Sequence, residues 1–235
     1  MQPDLMKNNN KMLSRTGSLL SSVLLTISCI YGVGLLLQIV LYSVMDNKTF
    51  PAFFSTQFAI LLLALIFYNM DYKALLKEIN FKLTKRDISL VIIFTFLIFV
   101  ANISVSALDS IFDLFPKSTT DKSTTVDVLK TTGLLMLIFP IIVAPITEEL
   151  AFRAGFKRIL VDNSGWKPYQ YVLISSLTFS LLHLPGVNFE VSAIVVITLI
   201  GILNAILYLK TNNILLPILT HVLYNSIILY IAYSA

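Results

Sequence analysis

The sequence predicts an all-α, polytopic membrane protein: a transmembrane helical bundle of about seven spans with the N-terminus in the cytoplasm. Three observations carry this. Hydrophobic residues make up 57% of the chain and charged residues 13%, with a mean hydropathy of +0.84, whereas soluble domains carry about 25% charged residues. The apolar residues run in long stretches rather than in a 3.6-residue stripe, and about 20 of them cross a hydrocarbon core of roughly 30 Å. The basic residues lie between these stretches, where they act as topology signals.

The stretches are 19–44, 52–70, 88–108, 133–156, 169–185, 191–209 and 214–233. The first follows Lys7, Lys11 and Arg15. It is longer than the roughly 7–15 apolar residues of a signal peptide and lacks a clear small-residue cleavage site, so it reads as a retained span. With the N-terminus inside, 12 Lys and Arg fall in inner segments and 4 in outer ones, and Arg153 lies within a span. The C-terminus is then outside. The net charge of +4 belongs to these segments and does not point to nucleic acid. Cys29 is the single cysteine, so no intrachain disulfide forms.

Two connections stand out. Residues 71–87 mix Lys with apolar residues. Ala74, Leu75, Ile79 and Leu83 could face lipid on an interfacial helix, or the segment could be a solvated basic loop. Residues 109–131, rich in Ser, Thr, Lys and Asp, read as a long external loop. The chain divides into an N-terminal region of three spans, 1–131, and a core of four, 132–235.

The polar residues of that core carry the chemistry. A charge at the centre of a bilayer costs roughly 2.5–3.5 kcal/mol or more, so an intramembrane ionisable group is a candidate functional group. The fourth span holds Pro140 and Pro145, which kink a helix and free carbonyls that then need partners. Glu148 and Glu149 follow. Adjacent helical residues point about 100° apart. Arg153, four residues after Glu149, can pair with it. Glu148 is left without a local counter-charge. Burial without a partner disfavours the charged form of a carboxylate, a condition that suits a general base. A packing ion pair with a second, solvated acid is the alternative.

The fifth span carries Phe179 and His183 on one face, with Pro185 and Gly186 expected to stop the helix. The last span carries His221 and Asn225, also four apart. Together these two can donate to a developing oxyanion, or clamp neighbouring helices. His183 and His221 are the only histidines of the chain. Such a set could also serve a proton relay, or hold zinc through Glu148, His183 and His221, although the HExxH spacing is absent.

Glu148-Glu149-Leu-Ala-Phe-Arg153 resembles the EExxxR motif of the CPBP (CAAX protease and bacteriocin-processing, or Abi) intramembrane proteases. Phe179-Ser-Leu-Leu-His183 resembles their FxxxH motif, and His221-Val-Leu-Tyr-Asn225 their HxxxN motif. The three occur in the expected order, without departure at the motif positions. The resemblance covers about a third of the chain, and the first three spans match only in being apolar. It implies an intramembrane endopeptidase with Glu148 as general base and His183 positioning water. His221 and Asn225 would stabilise the oxyanion, with Glu149, Arg153 and Phe179 supporting. It implies no required cofactor, with zinc as the alternative. The partners expected are membrane lipid and a peptide or membrane-protein substrate.

The low Gly and high Ile, Lys and Asn usage suits a low-GC bacterium. Bacteriocin or pheromone processing, or self-immunity, is then the expected setting, in a bacterial plasma membrane. A non-catalytic immunity scaffold and a proton-coupled transporter are the competing readings.

Straight parallel helices set a condition. Counting 1.5 Å per residue, Glu148 lies about 15 Å from Arg158, His221 about 12 Å from Asn213, and His183 about 24 Å from Lys167. Tilt, a fifth span that is short and broken at Pro185, or an inner loop that dips is needed to bring the three together.

Overall fold

The computed structural model describes residues 2–45, 49–115, 134–184 and 190–234, and among them every regular element is helical. Helix α1 (Gln2–Ile27) passes through a wide π-helical stretch, Ser28–Gly34, into α2 (Leu35–Val44). Helix α3 (Thr49–Phe67) returns and leads to the short α4 (Tyr72–Leu76). Helix α5 (Lys85–Phe112) starts at a capping box: the Thr84 hydroxyl accepts from the Asp87 N–H, and Asp87 Oδ2 accepts from the Thr84 N–H. Two groups at the helix end are thereby satisfied.

Residues 134–163 form no single straight helix. A 3₁₀ turn is followed by a π-helical turn at Phe139–Val143, then α6 (Ala144–Glu148), then π-helical stretches at Glu149–Gly155 and Lys157–Asn163. Helices α7 (Pro168–Leu182), α8 (Val191–Thr211) and α9 (Leu215–Ser234) complete the bundle. Pro168 occupies the first turn of α7, where its missing N–H has no helical partner to lose. Pro185 and Gly186, expected to stop this helix, and most of the loop expected at 109–131 lie outside the described residues.

Five helices have the length and apolarity to cross a membrane: Arg15–Val44, Phe50–Phe67, Lys85–Phe112, Val191–Thr211 and Leu215–Ala232. Their outward faces carry large apolar side chains, such as Leu36, Phe96 and Ile103, each more than 60% exposed. A belt of this kind belongs against lipid. The chain is therefore a multi-pass membrane protein. The apolar stretches expected as the fourth and fifth spans take other forms. The fourth is the broken run ending at Asn163, interrupted by two prolines and six charged residues. The fifth is α7, whose 15 residues reach only about 22 Å.

Small residues let these helices approach. A Cβ added at Gly201 of α8 would lie 2.9 Å from Ser176 Cβ and 3.1 Å from Ser176 Cα on α7. Buried hydroxyls are satisfied within their own helices, as where Ser176 Oγ donates to the Val172 carbonyl at 2.6 Å.

Residues 71–84 are neither a lipid-facing helix nor a solvated loop. Leu75 is buried, and Ala74, Ile79 and Leu83 pack against the protein core. Tyr72, Leu76 and Phe81 face outward instead. The reason is a polar clamp. Glu78 accepts from Tyr68 Oη at 2.9 Å and from Tyr208 Oη at 2.6 Å. Burial and the Glu78 carboxylate push the Tyr68 phenol above its ordinary value, so it stays a donor. Asn213 Nδ2 donates to the Asn80 carbonyl at 2.9 Å while its Oδ1 accepts from the Asn80 N–H at 3.0 Å. Segment 78–80 is thereby tied to the turn between α8 and α9.

The crossing at Gly201 makes opposite predictions for one substitution at two sites. Gly201→Ala should lower stability by about 1–3 kcal/mol through overpacking. Gly17→Ala, with nothing within 4 Å of the new Cβ, should be neutral or stabilising through helix propensity. Thermal unfolding in detergent reads both signs.

Candidate functional site

The prolines of the fourth apolar stretch shape the site. In the turn Phe139–Val143 the Ala144 N–H reaches back five residues to the Phe139 carbonyl. In that register the Pro140 carbonyl would be served by the N–H of residue 145, which proline lacks. Asn225 Nδ2 from α9 donates to it instead, at 2.8 Å. This one hydrogen bond joins the wall that carries the acids to the helix that carries His221.

Glu149 and Arg153 are both fully buried. Arg153 Nε lies 3.0 Å from Glu149 Oε2, and Nη2 donates to Oε1 at 3.3 Å, as the four-residue spacing predicts. Glu149 Oε1 also accepts from Asn204 Nδ2 of α8 at 3.1 Å and lies 3.0 Å from His221 Nδ1. Three side chains from three separate segments thus meet on one carboxylate. As a carboxylate, Glu149 accepts the Nδ1–H of His221, which turns Nε2 toward Glu148; the Nε2 to Oε2 distance there is 4.0 Å. Glu148, without a counter-charge in its own segment, faces an imidazole contributed 73 residues later.

Phe179 brings the second motif to the same place. The Arg153 guanidinium lies 4.6 Å from its ring centroid, and the His183 and His221 rings lie 4.5 Å and 6.2 Å from it. The ring packs between a cation and two imidazoles. His183 caps α7, where its Nδ1–H donates to the Phe179 carbonyl at 2.8 Å. That bond fixes the tautomer and leaves Nε2 for the cavity. The meeting of the three segments resolves the disparity of depth. The acids stand on wide turns rather than on a straight helix, and α7 ends at Leu182.

Glu148, His183, His221 and Asn225 line one cavity of about 950 Å³. Its wall is mostly apolar and draws on the first three spans as well as on the core. Several polar residues here were not singled out from the sequence. Asn204 holds Glu149. Gln57 of α3 and Thr147 are hydrogen-bonded to each other, and Gln57 lines the cavity. Asn102 Nδ2 donates to Tyr224 Oη at 2.6 Å, and both line its wall. The available signal was a lone amide in an otherwise apolar run, as in Ile-Leu-Asn204-Ala and Thr-Gln57-Phe.

The zinc set considered above, Glu148, His183 and His221, lies on the wall of this one cavity. Among the described residues no three His, Cys, Asp or Glu side chains are grouped as metal ligands. His221 Nδ1 is engaged by Glu149, and Nε2, the ring nitrogen left for the cavity, stands 4.0 Å from Glu148 Oε2.

The buried pair yields a prediction. Arg153→Met leaves the Glu149 charge uncompensated and should lower stability by about 3–5 kcal/mol. Adding Glu149→Gln should recover part of that loss, as measured by chemical unfolding of the purified protein.

Residues 130–227 match the family model described as "Type II CAAX prenyl endopeptidase Rce1-like". No curated protein and no solved structure matches the chain. The matched segment contains Glu148, Glu149, Arg153, Phe179, His183, His221 and Asn225 in a single constellation. Over this segment the chain is similar to the CAAX prenyl endopeptidases, which supports the resemblance of its three motifs to the CPBP, or CAAX protease, family of intramembrane proteases.

Proposed function

We propose that the chain is an intramembrane endopeptidase that uses Glu148 to activate water for attack on a peptide bond. The observation that carries this reading is the facing pair of Glu148 and His221 on the wall of one cavity, with Glu149 holding the far side of the imidazole. Oriented groups of this kind are what acid–base chemistry at a carbonyl requires.

The reaction balances with the chain's own side chains. Glu148 takes a proton from water as the water oxygen bonds to the carbonyl carbon. The resulting oxyanion receives hydrogen bonds from His221 Nε2–H, with the ring as imidazolium, and from the second Nδ2 hydrogen of Asn225. His183, through Nε2, positions the water. When the carbon–nitrogen bond breaks, Glu148 returns its proton to the leaving amine. Asn204, Glu149 and Arg153 act through His221 and are positioning residues. No step requires a metal.

The membrane arrangement proposed with this reading has the N-terminus in the cytoplasm and the broken segment 134–163 and α7 completing the spans, in a bacterial plasma membrane. Lipid surrounds the belt, and the substrate is a peptide or membrane-anchored segment. Processing of a small secreted peptide, or immunity to one, is the proposed setting.

Comparative peptidomics of cells carrying wild type and Glu148→Gln tests the reaction. At equal membrane levels, Glu148→Gln should lower the affected cleavages by a factor of about 10² or more. An unchanged peptide profile with retained biological activity would sink the endopeptidase reading. Cleavage by the purified protein should also survive dialysis against a strong chelator. Loss restored by zinc would replace the metal-free reaction with a metal-dependent one.

A further inference from the structure

The lining of the cavity ends at a packed aromatic layer toward one end of the bundle and, among the described residues, continues toward the other. Its floor is Phe152, which stacks on Phe156 at 5.8 Å between ring centroids. Phe156 in turn meets Phe67 edge-on at 5.3 Å. Phe67, Phe156, Tyr171 and Tyr208 are buried to 1% exposure or less, and the Glu78 clamp lies just beyond them. This packed layer stands between the site and the end of the bundle where the basic segments gather. Arg15 donates to the Gly165 carbonyl there, Arg158 lies over the Tyr68 ring, and Lys157 pairs with Asp162.

In the other direction the lining continues to Tyr42, Ser106 and Ser192. Tyr42 is near the end of α2, about 40 Å along the helix from Arg15. Ser106 is about 32 Å from Lys85 along α5, and Ser192 is in the first turn of α8. All three stand at the end opposite the basic segments. The 12 inner against 4 outer Lys and Arg place the basic end in the cytoplasm.

We propose that the site is reached from the extracytoplasmic face, so that its substrate is a polypeptide standing on the outer side of the membrane. The inference rests on the endopeptidase reading for what the site does. The direction of access comes from the packing and the charge distribution. A polypeptide tail presented from the cytoplasm would have to pass the Phe67–Phe156 layer and the clamp. A segment presented from outside meets a largely apolar cavity leading to Glu148.

Site-directed labelling decides the direction. With the native thiol removed by Cys29→Ala, single cysteines are placed by Ser192→Cys, Ser106→Cys and Lys77→Cys, the last at the basic end. The probe is a membrane-impermeant maleimide added to intact cells and, separately, to permeabilised cells. Ser192→Cys and Ser106→Cys should label in intact cells at least tenfold more than Lys77→Cys, which should label fully only after permeabilisation. The reverse pattern would overturn the proposal, as would equal labelling at both ends. Absence of label at both Ser192→Cys and Ser106→Cys in either preparation would overturn it too, by showing that the cavity does not continue to water at that end. Two positions guard against one variant failing to fold.

The Glu148-dependent cleavage points should in addition fall in exported segments, and cleavage confined to cytoplasmic ones would equally refute it. Outer labelling together with an unchanged peptide profile in Glu148→Gln would leave the outward-facing cavity standing and remove only the endopeptidase reading.

Discussion

The Glu149 carboxylate is the constraint on which the rest of the site depends. It is fully buried and bonded or paired to Arg153, Asn204 and His221. Burying a lone charge at this depth would be prohibitive, whereas an ion-paired, hydrogen-bonded one is tolerable. The partners come from the broken segment, α8 and α9, so satisfying one charge fixes the placement of three separate lengths of chain. Phe179 extends the arrangement to α7 by packing against the same guanidinium and both imidazoles. A net stability gain from such a cluster is not required. It specifies one arrangement because displacing any of the partners removes a bond from a fully buried carboxylate.

The second constraint is the backbone of residues 139–163. A regular α-helix would bury its carbonyls in its own hydrogen bonds and present a smooth face. Two prolines and wide turns prevent this, and one freed carbonyl, that of Pro140, becomes an anchor for Asn225. Asn225 therefore has two roles. One amide hydrogen holds the wall to α9, and the other is available at the cavity. Wide π turns of this sort occur frequently at functional sites, since they widen a helix locally without ending it.

Much of this was legible in the sequence for identifiable reasons. The all-helical, membrane-spanning character follows from composition and run length, which do not depend on packing. The Glu149–Arg153 pair follows from helical spacing alone. The three motifs pointed to one family, and the family match spans all of them. What local spacing cannot show is a partner from another helix. Glu148 read as an acid without a counter-charge because His221 lies 73 residues away. Asn204 and Gln57 read as isolated amides because their partners sit on other segments. Hydropathy marked 133–156 and 169–185 as spans because it counts apolar residues, but it does not register the wide turns around Pro140 and Pro145 or the 15-residue length of α7. For residues 71–87 the sequence left open an apolar face on an interfacial helix or a solvated basic loop, and Ala74, Leu75, Ile79 and Leu83 instead pack against the protein core. That face turns to the protein rather than to lipid because Glu78 and Asn80 are tied down.

The clamp at the basic end has a consequence for the centre of the membrane. Asn213 is locked to Asn80 by reciprocal hydrogen bonds, and the Ile214 N–H donates to the Glu78 carbonyl at 3.0 Å. Helix α9 starts there, and His221 stands eight residues along, about 12 Å deeper. The clamp therefore works as a depth stop. A slip of α9 by one residue would move His221 by about 1.5 Å and rotate it by about 100°, carrying Nδ1 away from Glu149 and Nε2 away from Glu148. Two asparagines and a glutamate at the membrane surface set the height and bearing of an imidazole in its interior.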